Sequence, residues 1–105
     1  MDAFNPADSA LRINVAASGD TALVAAVSGK RTKVHGLRLS VAGAVIVQIK
    51  DGSTVLETFN FAGAGTMPPL ELRHAPYYTG TTNTVLNINL SGAVQVDGRL
   101  EYTVA

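Results

Sequence analysis

The chain has 105 residues, eight Lys and Arg against eight Asp and Glu, and neither cysteine nor tryptophan. That length suits one domain that buries roughly two thirds of its unfolded surface, with no disulfide framework and no thiolate site. A nucleic-acid binder is disfavoured, since it wants a net basic face with stacking aromatics nearby, and no aromatic lies between Phe4 and Phe59.

Met1 is followed by Asp2, Phe4 and Asn5, with neither a basic start nor an apolar stretch behind it. No signal peptide is therefore expected, and the expected compartment is the cytosol or an assembly built there. No apolar run approaches the length needed to cross a bilayer. Residues 1–9 have no periodicity and contain Pro6, so they read as an extended arm with Phe4 as its one large aromatic.

From Leu11 onward the grammar is that of strands. Leu11, Ile13 and Val15 alternate with Arg12 and Asn14, and the run ends at Ser18-Gly19-Asp20. Thr21 to Val27 (TALVAAV) lies between glycine breaks and predicts a second strand. Thr32 to Ala42 predicts a third, in which Leu37, Leu39 and Val41 share one parity and Val34 the other. That slip beside Gly36 predicts a bulge. Ala44 to Lys50 and Thr54 to Phe61 form a hairpin pair around Asp51-Gly52, with Ser53 available to extend the loop.

Ala62 to Thr66 reads as a flexible loop, and Pro68-Pro69 forbids a central strand there. Leu70, Leu72 and His74 alternate with Glu71 and Arg73, an edge strand. A long loop, 75–83, leads to the last two strands, Leu86-Ile88-Leu90 and Val94-to-Val104, the latter with a break at Asp97-Gly98. About eight short strands at these spacings predict an antiparallel β-sandwich.

Reactive groups are sparse. His35 and His74 are far apart with no carboxylate at ligand spacing, so each reads as a strand-surface or rim residue, and no metal or other cofactor is expected. None of the six serines sits in a G-x-S-x-G elbow, and Gly63-Ala64-Gly65 lacks the third glycine of a dinucleotide fingerprint. Glu57 and Glu101 fall in mid-strand. A glycosidase-like pair would need them close together in a cleft lined by stacking aromatics, and the chain has six aromatics in all.

Two surface features remain. Residues 21–50 hold Lys30, Arg31, Lys33, Arg38 and Lys50 and no acid after position 20, while residues 51–105 hold five acids against Arg73 and Arg99. Folding either interleaves these charges or leaves a bipolar surface for a partner. Tyr77-Tyr78, in a proline-flanked loop, offers apolar area with polar tips. One ring serves as a lid on the core, or the pair forms an interface.

Three stretches carry a family resemblance: GDTALVAAVSGKRTK (19–33), VAGAVIVQIKDGSTVLETFNF (41–61) and LNINLSGAVQVDGRLEYTV (86–104). They resemble small β-sandwich proteins encoded among tailed-bacteriophage structural genes. In those, a GD-x-x-LVAAV-x-GK start precedes AGAV-x-V, a DGST or SGST hairpin and an LN-x-NLS-x-AV-x-V-x-G-x-L-x-Y ending. Tyr77-Tyr78 stands where such sequences usually carry an aromatic pair, often Trp-Phe. The resemblance implies a jelly roll of about eight strands over residues 10–105 behind the 1–9 arm, and it carries no catalytic residue.

What it implies functionally is a non-enzymatic virion protein, a capsid decoration (cement) protein on the capsid surface. Its partners would be the major capsid protein and further copies of itself in a homotrimer, with no nucleic acid, membrane or cofactor. The expected interface residues are Phe4, Lys30, Arg31, Lys33, Arg38, Tyr77 and Tyr78, in the 62–69 and 75–83 loops, the 30–38 segment and the arm. The alternative is a receptor- or carbohydrate-binding module of a tail fibre or spike, using Tyr77, Tyr78, Asn83 and Arg73 as its platform.

Overall fold

A computed structural model describes residues 9–67, 70–71 and 78–105. It is an all-β sandwich. Its strands are β1 (Ser9–Val15), β2 (Gly19–Val24), β3 (Thr32–Val41), β4 (Val45–Asp51), β5 (Thr54–Phe61), β6 (Gly65–Thr66), β7 (Leu70–Glu71), β8 (Tyr78–Thr79), β9 (Leu86–Leu90) and β10 (Val96–Val104). One antiparallel sheet runs β1-β10-β3, with β6, β7 and β8 bonded in succession along the outer edge of β3; the other runs β2-β9-β4-β5.

Alternation builds the core. Ile13, Val15, Leu37, Leu39, Val96 and Leu100 from the first sheet meet Val45, Val47, Ile49, Leu86, Ile88 and Leu90 from the second, all buried in one cluster. Each such side chain contributes about 1.5–3 kcal/mol on leaving water. The intervening residues, such as Arg12, Arg38 and Ile46, are exposed. Every outer-face position is thereby fixed by its core-facing neighbours.

The bulge falls where the parity slip predicts it. Glu101 pairs with Gly36 and Tyr102 with Val34, so His35 is the extra residue, and Val34 and Leu37 both face the core. His35 is therefore buried, not on the surface or rim.

Other expectations need correction. β2 ends at Val24; Val27 is exposed and its carbonyl accepts the Lys30 N–H of a turn. Asp51 is the last residue of β4, paired with Thr54, so Gly52-Ser53 is the hairpin loop. Within it Gly52 alone has positive φ, at 60°, the pattern of a turn with glycine at its first central position. Gly65 and Thr66 are not loop but bond to Val41 and Ser40. Asp97-Gly98 does not interrupt β10, which passes through it. Ser9, assigned to the arm, already pairs with Tyr102. The rest of the arm, with Phe4, lies outside the described residues, as do Arg73, His74 and Tyr77.

Candidate functional site

The outer face of the first sheet places three arginines side by side. Arg12 of β1 lies directly opposite Arg99 of β10, and Arg99 directly opposite Arg38 of β3. Each projects outward because its strand neighbours are committed to the core: Leu11 and Ile13, Leu100, Leu37 and Leu39. All three are exposed. Adjacent strands are about 4.8 Å apart, and like charges directly opposite one another destabilise a sheet.

Neighbouring acids offset this only in part. Arg12 Nη2 lies 3.5 Å from Asp97 Oδ1, and Arg99 Nε lies 3.8 Å from Glu101 Oε2. Both pairs are solvent-exposed enough to contribute little. Arg38 makes no ion pair with a described residue. Gln95 Nε2 donates to Asn14 Oδ1 at 2.7 Å and to Asp97 Oδ1 at 3.2 Å, which steadies the acid beside Arg12.

Between the arginines runs an open groove of about 360 Å³, lined by Ala10, Leu11, Asp97 and Gly98 as well as the three guanidinium-bearing side chains. Gly98 sets the strand spacing here. A Cβ at this position would overlap the carbonyl oxygen of Arg38, so only glycine lets β10 approach β3 so closely. Further along the same face, Lys33 pairs with Thr103 on one side and Thr79 on the other.

The outer face of the second sheet is different in kind. Asp20 of β2 accepts hydrogen bonds from Lys50 Nζ at 3.1 and 3.2 Å and from Asn89 Nδ2 at 2.7 Å. The Asn89 bond, followed by the Lys50 bond, holds the Asp20 carboxyl below its ordinary pKa. Gln48 Nε2 reaches Thr58 Oγ1 at 3.5 Å, and Ser91 Oγ accepts the Ile46 N–H at 2.8 Å. This face carries one ion pair among amides and hydroxyls, with two exposed apolar side chains, Ile46 and Val55.

At one end of the sandwich, loops are tied together by side chains. Buried Asp51 accepts from the Thr81 N–H at 3.0 Å and the Thr81 hydroxyl at 2.8 Å. Asn83, at φ 64°, accepts the Gly29 N–H at 2.5 Å. Arg31 Nη2 donates to Thr82 Oγ1 at 3.3 Å. Lys30 and Arg31 are exposed at this end.

The expected interface residues divide accordingly. Lys30, Arg31 and Lys33 gather where β3 begins, beside residues 79–83. Arg38 lies farther along β3, and the 62–67 loop sits at its opposite end, where Gly65 pairs with Val41. The described parts of the two loops, 62–67 and 78–83, thus lie at opposite ends of the ten-residue β3, which spans about 30 Å. Tyr78 packs against the core and its hydroxyl donates to Glu57 Oε1 at 3.0 Å, linking the edges of the two sheets. Glu57 and Glu101 belong to different sheets and form no pair. Among the described residues, no three His, Cys, Asp or Glu side chains are grouped to hold a metal ion.

Arg12 and Arg99 were not marked by sequence. Each stands alone in its strand, and Arg99 lies in the half of the chain that is rich in acids. The signal that finds them is strand order, which makes β10 the neighbour of both β1 and β3. Comparison with family models, with curated proteins and with solved structures returned no match.

Proposed function

We propose that this chain is a structural protein of a tailed-phage particle, a capsid decoration protein that docks through the outer face of its β1-β10-β3 sheet. The observation that carries the docking face is the row Arg12–Arg99–Arg38. A sheet that keeps three like charges adjacent and exposed gives up stability, and a partner with complementary charge recovers it. The phage assignment rests on the sequence resemblance of residues 19–104.

Strand order supports the finer architecture. With β6, β7 and β8 counted as pieces of one interrupted edge strand, eight strands are ordered β1-β10-β3-edge in one sheet and β2-β9-β4-β5 in the other. We read this as a jelly roll, a double-sheet arrangement that protects its edges by layering. Decoration further requires that each copy touch several capsid subunits, which a symmetric trimer achieves by combining weak contacts at high effective concentration.

The test is binding of the purified protein to particles that lack it. Saturable binding to the capsid surface, weakened by Arg99→Gln and Arg38→Gln together, supports the reading. Location at the tail tip in cryo-electron microscopy of the parent virion would replace it with the receptor-binding alternative. That alternative has lost part of its platform, since Asn83 and Tyr78 are spent on holding loops and sheet edges together. Sedimentation equilibrium decides the trimer: a clean monomer at tens of micromolar removes it.

A further inference from the structure

We propose that Arg12, Arg99 and Arg38, brought together from three adjacent strands, form a carboxylate-binding site that takes an acidic segment of a partner protein. This rests on the reading of that face as a docking surface and names what it docks. The guanidinium is planar and presents paired N–H donors that match a carboxylate in a bidentate fork. Three such forks in a row, on long exposed side chains whose strands are about 4.8 Å apart, can spread toward the roughly 6.6–6.8 Å between same-side residues of an extended acidic segment.

The resident acids show how incompletely the row is satisfied. Asp97 and Glu101 reach Arg12 and Arg99 only at 3.5 and 3.8 Å, longer than the 2.7–2.9 Å of a strong charge-assisted hydrogen bond. An incoming carboxylate can make the shorter bonds that these do not. Of the apolar lining, Ala10 shares the outward parity of Arg12 and adds its methyl group to the groove, a small apolar contact for the methylenes of a glutamate.

The same acids argue against a nucleic acid. Asp97 and Glu101 lie on the rows either side of the arginines and would repel a phosphate backbone. The outward-facing positions of β1, β10 and β3 carry no aromatic ring on which a base could stack.

The experiment titrates the full-length protein with a hexaglutamate peptide and, separately, with a short DNA duplex, at physiological ionic strength. Heat and the arginine Nε–H NMR signals are followed. Binding of the peptide with shifts at Arg12, Arg38 and Arg99 is expected, weakened about fivefold by Arg99→Gln and by Arg38→Gln. Arg99→Lys should recover less than half of that loss, since it keeps the charge but not the fork. Unchanged far-UV circular dichroism shows that the variants are folded.

Equal peptide affinity for the wild type and both glutamine variants overturns the site. So does tighter binding of the duplex than of the peptide. Peptide binding that depends on the arginines, with no binding to particles, keeps the site and removes the capsid reading. Particle binding that depends on the arginines, with no peptide binding, does the reverse.

Discussion

The two outer faces of the sandwich solve the same problem in opposite ways. Each strand must fill its outward positions with something soluble. On the outer face of the β2-β9-β4-β5 sheet Asp20 and Lys50 meet at 3.1 Å, and Asn89 adds a second bond to the carboxylate. On the β1-β10-β3 sheet Arg12, Arg99 and Arg38 are set against one another, with acids at longer range. One face is electrostatically closed, and the other holds unspent attraction for an anion. The well-buried core beneath both fixes which residues each face presents. This difference is the ground on which the arginine face is proposed for docking.

The comparison breaks most severely if the arginine strands are forced apart. Gly98→Ala puts a methyl group onto the carbonyl oxygen of Arg38, and backbone must move because the obstacle is backbone. A loss of about 3 kcal/mol is expected, as for overpacking a tight site. Denaturant unfolding measures it. Gly63→Ala, where an added Cβ meets nothing within 4 Å, serves as the control and should change stability by well under 1 kcal/mol.

Next in size is the loop end. Asp51→Ala removes the acceptor for the Thr81 N–H and hydroxyl, two charge-assisted bonds in a part-buried setting. The expected cost is about 2 kcal/mol. Asp51→Asn keeps one acceptor oxygen and should recover part of it. Because this end lies beyond the arginine row, hexaglutamate binding should be unchanged in Asp51→Asn, which separates loop integrity from the docking face.

How much of this was legible in sequence follows from what sequence encodes. Alternation identifies the core parity of Leu11-Ile13-Val15 and Leu86-Ile88-Leu90 because burial acts on each strand by itself. The Val34–Leu37 slip exposes the bulge for the same reason. Asp-Gly is a strong turn signal and puts Asp51 in the turn by sequence, whereas its strand pairing depends on Leu86 of β9, a partner distant in the chain. Gly98 read as a break because a glycine within a strand pattern looks like a turn unless the approaching backbone of β3 is known. The arginine row was illegible in principle: it exists only through the order β1-β10-β3, which joins residues 12, 99 and 38. Charge counted along the chain pointed to the 30–38 segment and so captured one member of three.

A smaller effect sharpens the closed face. Folding holds the Asp20 carboxyl below its ordinary value of 3.8, chiefly through Asn89 and then Lys50. A depressed folded value means that the ionised form is favoured by folding. Its contribution is therefore present above about pH 4 and is lost as pH falls through the lowered value. Urea midpoints of wild type and Asp20→Asn should differ by a constant amount from pH 7 down to about pH 4 and converge below it. A difference that instead grew on acidification would contradict the assignment of Asn89 and Lys50 as its cause.

The smallest effect is the one on which the comparison turns, because it has an unusual sign. Arg99 stands between two like charges, so Arg99→Gln removes two cross-strand repulsions at the expense of one exposed 3.8 Å pair with Glu101. The balance favours the variant by about 0.3 kcal/mol, a rise in melting temperature of about 2 °C for a domain of this size. Arg12→Gln, at the end of the row, removes one repulsion and also breaks the pair with Asp97, so it should gain nothing. The Arg99→Gln gain arises between exposed charges and should shrink in 1 M salt, where the Debye length is about 3 Å. A stabilised Arg99→Gln that also loses hexaglutamate binding would be a trade of stability for recognition at a single side chain. If Arg99→Gln is instead destabilised by more than about 0.5 kcal/mol, the row is held by attractions within the fold and the two faces do not differ in kind.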